Sequence, residues 1–486
     1  MVYNERLFMK LSRRRFLAAS LAAGALAFPA PFISADTNRS EKIRVGILGC
    51  GVRARDLLGV FATIPEAEVS AICDPDSLRL DEVAAKYNVP RKFSDPRELI
   101  NLNDIDVVVA AVCNHWHCLA AVLAMQAGKD VYVEKPLAHN QWEGACVVAA
   151  ARKYDRICQV GMQQRSDPMQ AEVKKFLHEE KAIGDLLCCR VNHYSVRVSI
   201  GKRSTPLEFP ATVDKNIWLG PAADEPIYRE NLQYDWHWDW NTGNGEMGNW
   251  GIHVLDDVRN VVLRDRVALP KRIMAGGARV LYDDAGQTPN MNFVYYDNDV
   301  MPVVFGMSNL QAKNNPKSAG AHPGPGSGHI VYGEGGRLEG WRGGSIAYDA
   351  EGKEIRRFQG TGGAVEHVRN FLDAVIAHDR SILNAEAAIG NDSCGWCNVT
   401  NIASRIGHAY DKSQVKAVPE SVGIWNEVIT GHEALLATYG TTMEKLGFKL
   451  SPMLSIENDK FVGEDADKAN ALLKRTYRSG FEFPQL

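Results

Sequence analysis

From residue 43 to 161, short apolar runs alternate with stretches whose apolar positions recur every three to four residues. Ile43-Arg-Val-Gly-Ile-Leu-Gly49 reads as a buried strand and Val69-Ser-Ala-Ile-Cys-Asp74 as a second. Ile105–Val112 is almost continuously apolar, as strands enclosed in a parallel sheet are. Val131-Tyr-Val133 and Ile157–Gly161 follow. The intervals predict helices ending near Phe61, over 77–87, ending near Ala127 before Gly128, and ending near Tyr154. Such alternation predicts a doubly wound α/β unit over 42–162.

The pattern then changes. Gln163-Gln164-Arg165 opens a helix to about Glu180, and after Gly184 the period becomes two, over Leu186–Val198, Arg272–Tyr282, Met291–Tyr296, Val300–Met307 and His329–Gly333. These strands predict a C-terminal α+β domain, 163–486, with a large, mainly antiparallel open sheet. Residues 313–328 read as an exposed loop. Helices are predicted over 365–378 and 385–408, and near 430–445 and 464–477 in a helical tail, 420–486.

Composition is that of an ordinary globular chain: 486 residues, 45% hydrophobic and 23% charged, which suits two or three domains. Ser12-Arg13-Arg14-Arg15-Phe16-Leu17 precedes an apolar run to Phe28 and then Ile33-Ser34-Ala35. The run is too short for a membrane span. It has the form of a signal peptide over 1–35 and resembles the twin-arginine type, which implies export, to the periplasm, of a folded protein. Without this basic leader the chain is more acidic than its overall net charge of −4, which argues against nucleic acid or an anionic membrane as partner. Cys50, Cys73 and Cys113 lie at strand ends or in apolar runs, where cysteine acts as a small hydrophobe. Cys394-Gly-Trp-Cys397 has redox-motif spacing but lies in a helix-like stretch with no second pair.

The candidate chemistry begins after the first strand. Gly49-Cys-Gly51-Val52-Arg53-Ala54 is G-x-G-x-x-A opening a helix, the dinucleotide-binding turn of a Rossmann unit: a tight turn, room for a pyrophosphate, and close helix packing. Asp74 ends the second strand where an acid would hold a ribose hydroxyl, which favours NAD over NADP. Val131–Val133 runs into Glu134-Lys135-Pro136, so Lys135 projects from the strand edge at which open α/β sheets bind ligands. The Lys135 ammonium is there either a surface group or a catalytic one.

The densest polar stretch is Tyr234-Asp-Trp236-His237-Trp238-Asp239-Trp240, followed by glycines 243, 245 and 248, Asn249, His253, Asp256 and Asp257. A helix over Met247–Val262 puts Asn249 and His253 one turn apart, with Asp256 and Asp257 able to orient the imidazole. His237, Asp239, Glu246 and His253 lack the compact spacing of a metal set, so no metal is expected. Trp236, Trp238 and Trp240 suit a sugar platform as well as a core.

Together with Asn114-His115-Trp116-His117, Trp218-Leu-Gly-Pro221 and Tyr477-Arg478, these motifs resemble the glucose–fructose oxidoreductase/inositol dehydrogenase (Gfo/Idh/MocA) family over nearly the whole chain after the leader. The resemblance implies a nicotinamide cofactor, a sugar or polyol substrate, and homo-oligomers built through the C-terminal sheet. It matches Lys135 to a lysine contacting the reacting hydroxyl and the nicotinamide, and His253 to the general acid/base. Asn249 falls where many members have aspartate; an amide can position but cannot titrate. Cofactor contacts are expected from Gly49, Gly51, Val52, Arg53, Ala54, Asp74, Asn114, His117, Glu134 and Lys135. Substrate contacts are expected from His115, Trp116, Gln164, Arg165, Trp236, Trp238, Trp240 and Asp256. The implied chemistry is hydride transfer from a secondary alcohol to a tightly bound NAD. The alternative is an NAD-dependent glycoside hydrolase or lyase with no net redox change. The presence of both Lys135 and His253 speaks against a non-catalytic binding protein.

Overall fold

The computed structural model describes residues 42–313 and 315–486; the leader, 1–35, lies outside the described residues. The first domain alternates β1 (Ile43–Leu48), α1 (Val52–Phe61), β2 (Ala67–Cys73), α2 (Ser77–Tyr87), β3 (Arg91–Phe93), α3 (Pro96–Ile100), β4 (Val107–Ala110), α4 (Asn114–Gln126), β5 (Asp130–Val133), α5 (Gln141–Lys153) and β6 (Cys158–Val160). All pairings are parallel, in the order β3-β2-β1-β4-β5-β6. The strand order reverses between β1 and β4, which opens a crevice at the strands' carboxyl ends. The Val-Val-Val-Ala of β4 is buried throughout, as a strand covered on both faces must be. Local signals set the helix starts: Asp76 accepts from the Leu78 amide at the head of α2.

The second domain adds α6 (Pro168–His178), β7 (Leu186–Tyr194), α7 (Lys215–Leu219) and a continuous helical segment, Met247–Val262. That segment is α-helical only in its middle, α8 (Ile252–Asp257); Met247–Gly251 and Val258–Val262 are π turns. Then come β8 (Arg272–Ala278), β9 (Met291–Asp297), β10 (Val303–Ser308), β11 (Ser327–Gly333), β12 (Gly336–Trp341), β13 (Gly344–Asp349), β14 (Glu354–Gln359), α9 (Ala364–Ala377), α10 (Ala387–Ile406), β15 (His408–Ala409), α11 (Gly423–Ala437), β16 (Lys449–Leu450), β17 (Leu454–Glu457), β18 (Lys460–Val462) and α12 (Ala466–Asn470). They form a 12-stranded sheet in which β7 and β10 are parallel and the other pairings antiparallel.

Several elements differ from the sequence pattern. The β12–β14 strands were not visible in it: β14, Glu-Ile-Arg-Arg-Phe-Gln, buries only Phe358 and looks polar throughout. The helix expected over 430–445 lies at α11 instead, and the one expected over 464–477 stops at Asn470. Beyond it the backbone docks on the first domain, where the Leu473 carbonyl accepts from the Trp142 amide at 3.0 Å.

A buried charge cluster ties the domains together. Arg165, just past β6, donates to Asp256 at 2.8 and 2.9 Å and to Asp265 at 2.8 Å, with its side chain 2% exposed. Ser393 of α10 donates to Asp256 at 2.6 Å, and Arg259 bonds Ser393 and the Ile389 carbonyl. α10 also closes on the first domain through Cys394, whose thiol donates to the Ala138 carbonyl at 3.2 Å, and through Arg152–Glu386 at 2.6 Å. The Cys394 and Cys397 thiols are both buried and unpaired, so the C-x-x-C spacing serves packing. Removing one member of such a pair strands a buried charge. Arg165→Leu is therefore expected to lower the unfolding free energy by about 3–5 kcal/mol, measured by urea denaturation; a loss under about 1 kcal/mol would mean the cluster behaves as a solvated surface pair.

Candidate active site

The crevice at the β1/β4 reversal holds a cavity of about 340 Å³. Its floor is the β1–α1 turn. Gly49 has φ +97°, and a Cβ there would lie 2.3 Å from the Ala111 carbonyl oxygen, so only glycine fits. At Gly51 a Cβ would meet only Arg79 Nη1, at 3.9 Å; the missing side chain leaves space on the cavity side. The first amides of α1, with no side-chain cap, and the positive end of its dipole face the same way. This cradle fits a pyrophosphate. Val52 and Arg53 also line the cavity, whereas Ala54 is fully buried and packs α1 on the sheet.

Asp74, at the end of β2, lines the same cavity and braces the glycine turn, accepting from the Cys50 amide at 2.7 Å and the Asp76 amide at 2.9 Å. Burial raises its pKa against those bonds. Arg79 of α2 completes this end, 3.5 Å from Asp76, and the sequence reading missed it.

At the other end stand Asn114 and His117, on α4, and Glu134 and Lys135, after β5. The His117 ring lies 2.7 Å from the Pro136 carbonyl and 3.0 Å from that of Val112, and so pins the β5 exit to the β4 exit. Glu134 is buried and accepts from Arg53 at 2.6 Å. Lys135 Nζ donates to the Asn249 carbonyl at 2.7 Å. Burial lowers its pKa to about 8, partly offset by Glu134.

The π turn Met247–Gly251 puts Asn249 in the cavity wall. Its amide donates at 3.4 Å to Glu246, whose fully buried carboxylate also takes His193 Nε2 at 2.9 Å and Arg197 at 2.8 Å. Burial opposes ionisation of Glu246, but the His193 hydrogen bond and the His193 and Arg197 charges outweigh it and hold the pKa at about 2. In the sequence Glu246 stands out only beside His237, Asp239 and His253; nothing local links it to His193, 53 positions away.

His253 is buried with its ring edge-on to Trp250, 5.7 Å between centroids, and is not part of the cavity wall. Burial, then the Lys135 charge, hold its pKa well below the usual histidine range, so the ring is neutral. Asp256 and Asp257 do not orient it: Asp256 is taken by Arg165 and Ser393, and Asp257 accepts from Gln164 at 2.8 Å and Gln170 at 3.1 Å.

Of the side chains expected to face substrate, only Trp236 lines this cavity, stacked on His237 at 3.6 Å between centroids, with Tyr234 beside them. His237, a further ring on this wall, is held near pKa 3 by burial. The rest are consumed by the fold. His115 bonds the Trp218 carbonyl at 2.9 Å, Trp116 donates to the Ile217 carbonyl at 2.8 Å, and Gln164, Arg165 and Asp256 are locked in internal pairs. Trp238 is buried, and Trp240 lines a different cavity. The three tryptophans therefore make no shared platform.

Two family models match the chain: "Oxidoreductase family, NAD-binding Rossmann fold" over 43–162 and "Oxidoreductase family, C-terminal alpha/beta domain" over 193–320. The chain belongs to the Gfo/Idh/MocA oxidoreductase family. An inositol 2-dehydrogenase of Salmonella paratyphi B is 33% identical over 184 residues, 36% of this chain and 54% of that protein. A glycosyl hydrolase family 109 protein of Shewanella pealeana is 30% identical over 178 residues, 31% of this chain and 39% of that one. The chain thus spans about half the length or less of these curated relatives. A levoglucosan dehydrogenase solved with NADH and levoglucosan shares the fold, with TM-score 0.56 at 19% identity over 74% of this chain and 96% of that one.

Within this Gfo/Idh/MocA site, burial brings the pKa of the Lys135 ammonium down to about 8. A step that needs the Lys135 cation is expected to lose kcat/KM as pH rises through about 8, while His253, already neutral, adds no acid limb in the usual histidine range. The Glu246 charge raises the Lys135 pKa, so Glu246→Gln is expected to move that basic limb to lower pH. pH–rate profiles of the two proteins check both signs; an unmoved limb would separate Glu246 from Lys135.

Proposed function

We propose that the chain is an exported, NAD-dependent oxidoreductase that moves hydride between a secondary alcohol of a sugar or polyol and a tightly held cofactor, assembled as an oligomer through its large sheet. The observation that carries this reading is Lys135, a part-buried ammonium at the β5 edge of the dinucleotide cavity, fixed 2.7 Å from the Asn249 carbonyl. The glycine turn, the α1 amino end and Asp74 would hold the dinucleotide, and Asp74 favours NAD by repelling a 2′-phosphate. Bound there, the nicotinamide supplies the hydride acceptor. Lys135 donates to the alcohol oxygen as charge develops on it. His253, neutral and one turn beyond Asn249 but outside the cavity lining, would take the hydroxyl proton only from an alcohol that reaches past the Asn249 wall. Asn249 orients and does not titrate.

The inositol and levoglucosan dehydrogenases among the relatives support a polyhydroxylated substrate. The Ser12-Arg13-Arg14-Arg15-Phe16-Leu17 leader supports twin-arginine export to the periplasm, and an enzyme beyond the cytoplasmic NAD pool needs its cofactor tightly held. The match to a glycosyl hydrolase family 109 protein favours a second reading, glycoside cleavage through transient oxidation.

Lys135→Ala is expected to cut turnover by about 10²–10³-fold while leaving the nucleotide content of the purified protein unchanged. Denaturing the wild-type protein and weighing the released nucleotide should give NAD; NADP, or none, would overturn the tightly held NAD. Phenol release from aryl glycosides without added NAD would select the second reading.

A further inference from the structure

A second cavity, of about 520 Å³, lies against the other side of the glycine-rich segment and shares no lining residue with the dinucleotide cavity. That volume falls in the range of about 300–1,000 Å³ usual for small-molecule sites. Three features define its chemistry. Asn398, Asn401 and Arg405 project from one face of α10 at i, i+3 and i+7, and Asn244 opposes them, its amide 3.3 Å from Asn398 Oδ1 and its carbonyl accepting from Asn401 at 2.9 Å. The lining carries three cations, Arg405, Lys474 and Arg475, against one acid, Glu225. None of the three cations has a carboxylate partner among the described residues. The Arg405 guanidinium rests 5.0 Å from the Trp240 ring centroid, Lys474 lies over Trp142 at 3.8 Å, and Arg475 spends its bonds on Asn241 at 2.8 Å and on His139 at 3.3 Å.

Unpaired cations gathered around a concave surface, in a chain of net negative charge, favour an anion. The surrounding amides can both donate and accept, as hydroxyl groups require. Burial, then Arg475, hold His139 well below its usual range, so this lining ring stays neutral and leaves the charge to the three cations.

We propose that this cavity is a second ligand site, for a small polyhydroxylated anion such as a sugar acid or a sugar phosphate. The site abuts the dinucleotide cavity through one side chain. Asn244 Oδ1 accepts from Asn114 at 3.0 Å, and Asn114 lines the dinucleotide cavity, while Asn244 Nδ2 donates to the His139 carbonyl at 2.8 Å. An occupant packed against Asn244 therefore lies beside the residue that braces Asn114 in the cofactor wall. The inference does not depend on which alcohol the enzyme oxidises.

Calorimetric titration of the full protein with glucuronate, glucose 6-phosphate, inorganic phosphate and glucose tests it. Glucuronate or glucose 6-phosphate is expected to bind more tightly than both glucose and inorganic phosphate, and which of the two binds distinguishes a carboxylate from a phosphate ligand. The double substitution Arg405→Ala, Lys474→Ala should weaken that binding at least about tenfold, with released NAD unchanged as the control for an intact fold. Equal binding of glucose, equal binding of inorganic phosphate, no binding by any probe at about 10 mM, or unchanged affinity in the double variant would each overturn the proposal.

Discussion

The Lys135–Asn249 hydrogen bond is the contact on which the site depends. An ammonium withdrawn from water is costly unless a counter-charge meets it. Here the partner is a neutral carbonyl at 2.7 Å, and the two nearby carboxylates are engaged elsewhere, Glu134 with Arg53 and Glu246 with Arg197 and His193. Lys135 is therefore left under-compensated, which is why burial brings its pKa to about 8 rather than leaving it near that of a surface lysine. The same bond joins the β5 exit of the first domain to the π turn of the second, so the group that would meet substrate also spans the domain boundary. A π turn is a familiar device where a helix must offer a backbone group to a site.

Asn249 has a physical reading in this setting. An aspartate there would place a second carboxylate beside Glu246, and like charges at that range resist joint ionisation. The amide instead donates to Glu246 while its own backbone carbonyl holds Lys135. Negative charge is kept one shell back from the cavity, on a residue fixed by His193 and Arg197. The wall itself stays uncharged at this point.

The sequence revealed what depends on local period or local spacing. β1, β2, β4 and β5 show as apolar runs, and Gly49, Gly51, Asp74, Asn114 and Lys135 fall in motifs whose backbone geometry makes their neighbours nearly unavoidable. What it hid was assembled over distance. His193, Arg197 and Glu246 come together only when β7 packs beside the π turn, and Arg79 reaches the cavity only after α2 folds back. β14 was hidden for a different reason: its charged residues lie on an exposed edge, which erases the alternation. His115, Trp116, Arg165 and Asp256 misled because polar residues beside a motif look functional, whereas their polar atoms satisfy buried backbone and one another. Polarity marks a site only when the fold leaves it unspent.

The docked segment past α12 carries a consequence for biogenesis. Tyr477 bonds Glu143 across 334 positions and Arg475 meets His139 across 336, so part of the first domain's surface is supplied by residues translated long after its strands. At about 5–20 residues per second, the dinucleotide half emerges from the ribosome well before these partners exist. It must wait with the Trp142 and Glu143 face open, and the second cavity lacks its Lys474–Arg475 rim until then. Completion of this face is thus coupled to the synthesis of residues 473–477, more than 300 positions downstream.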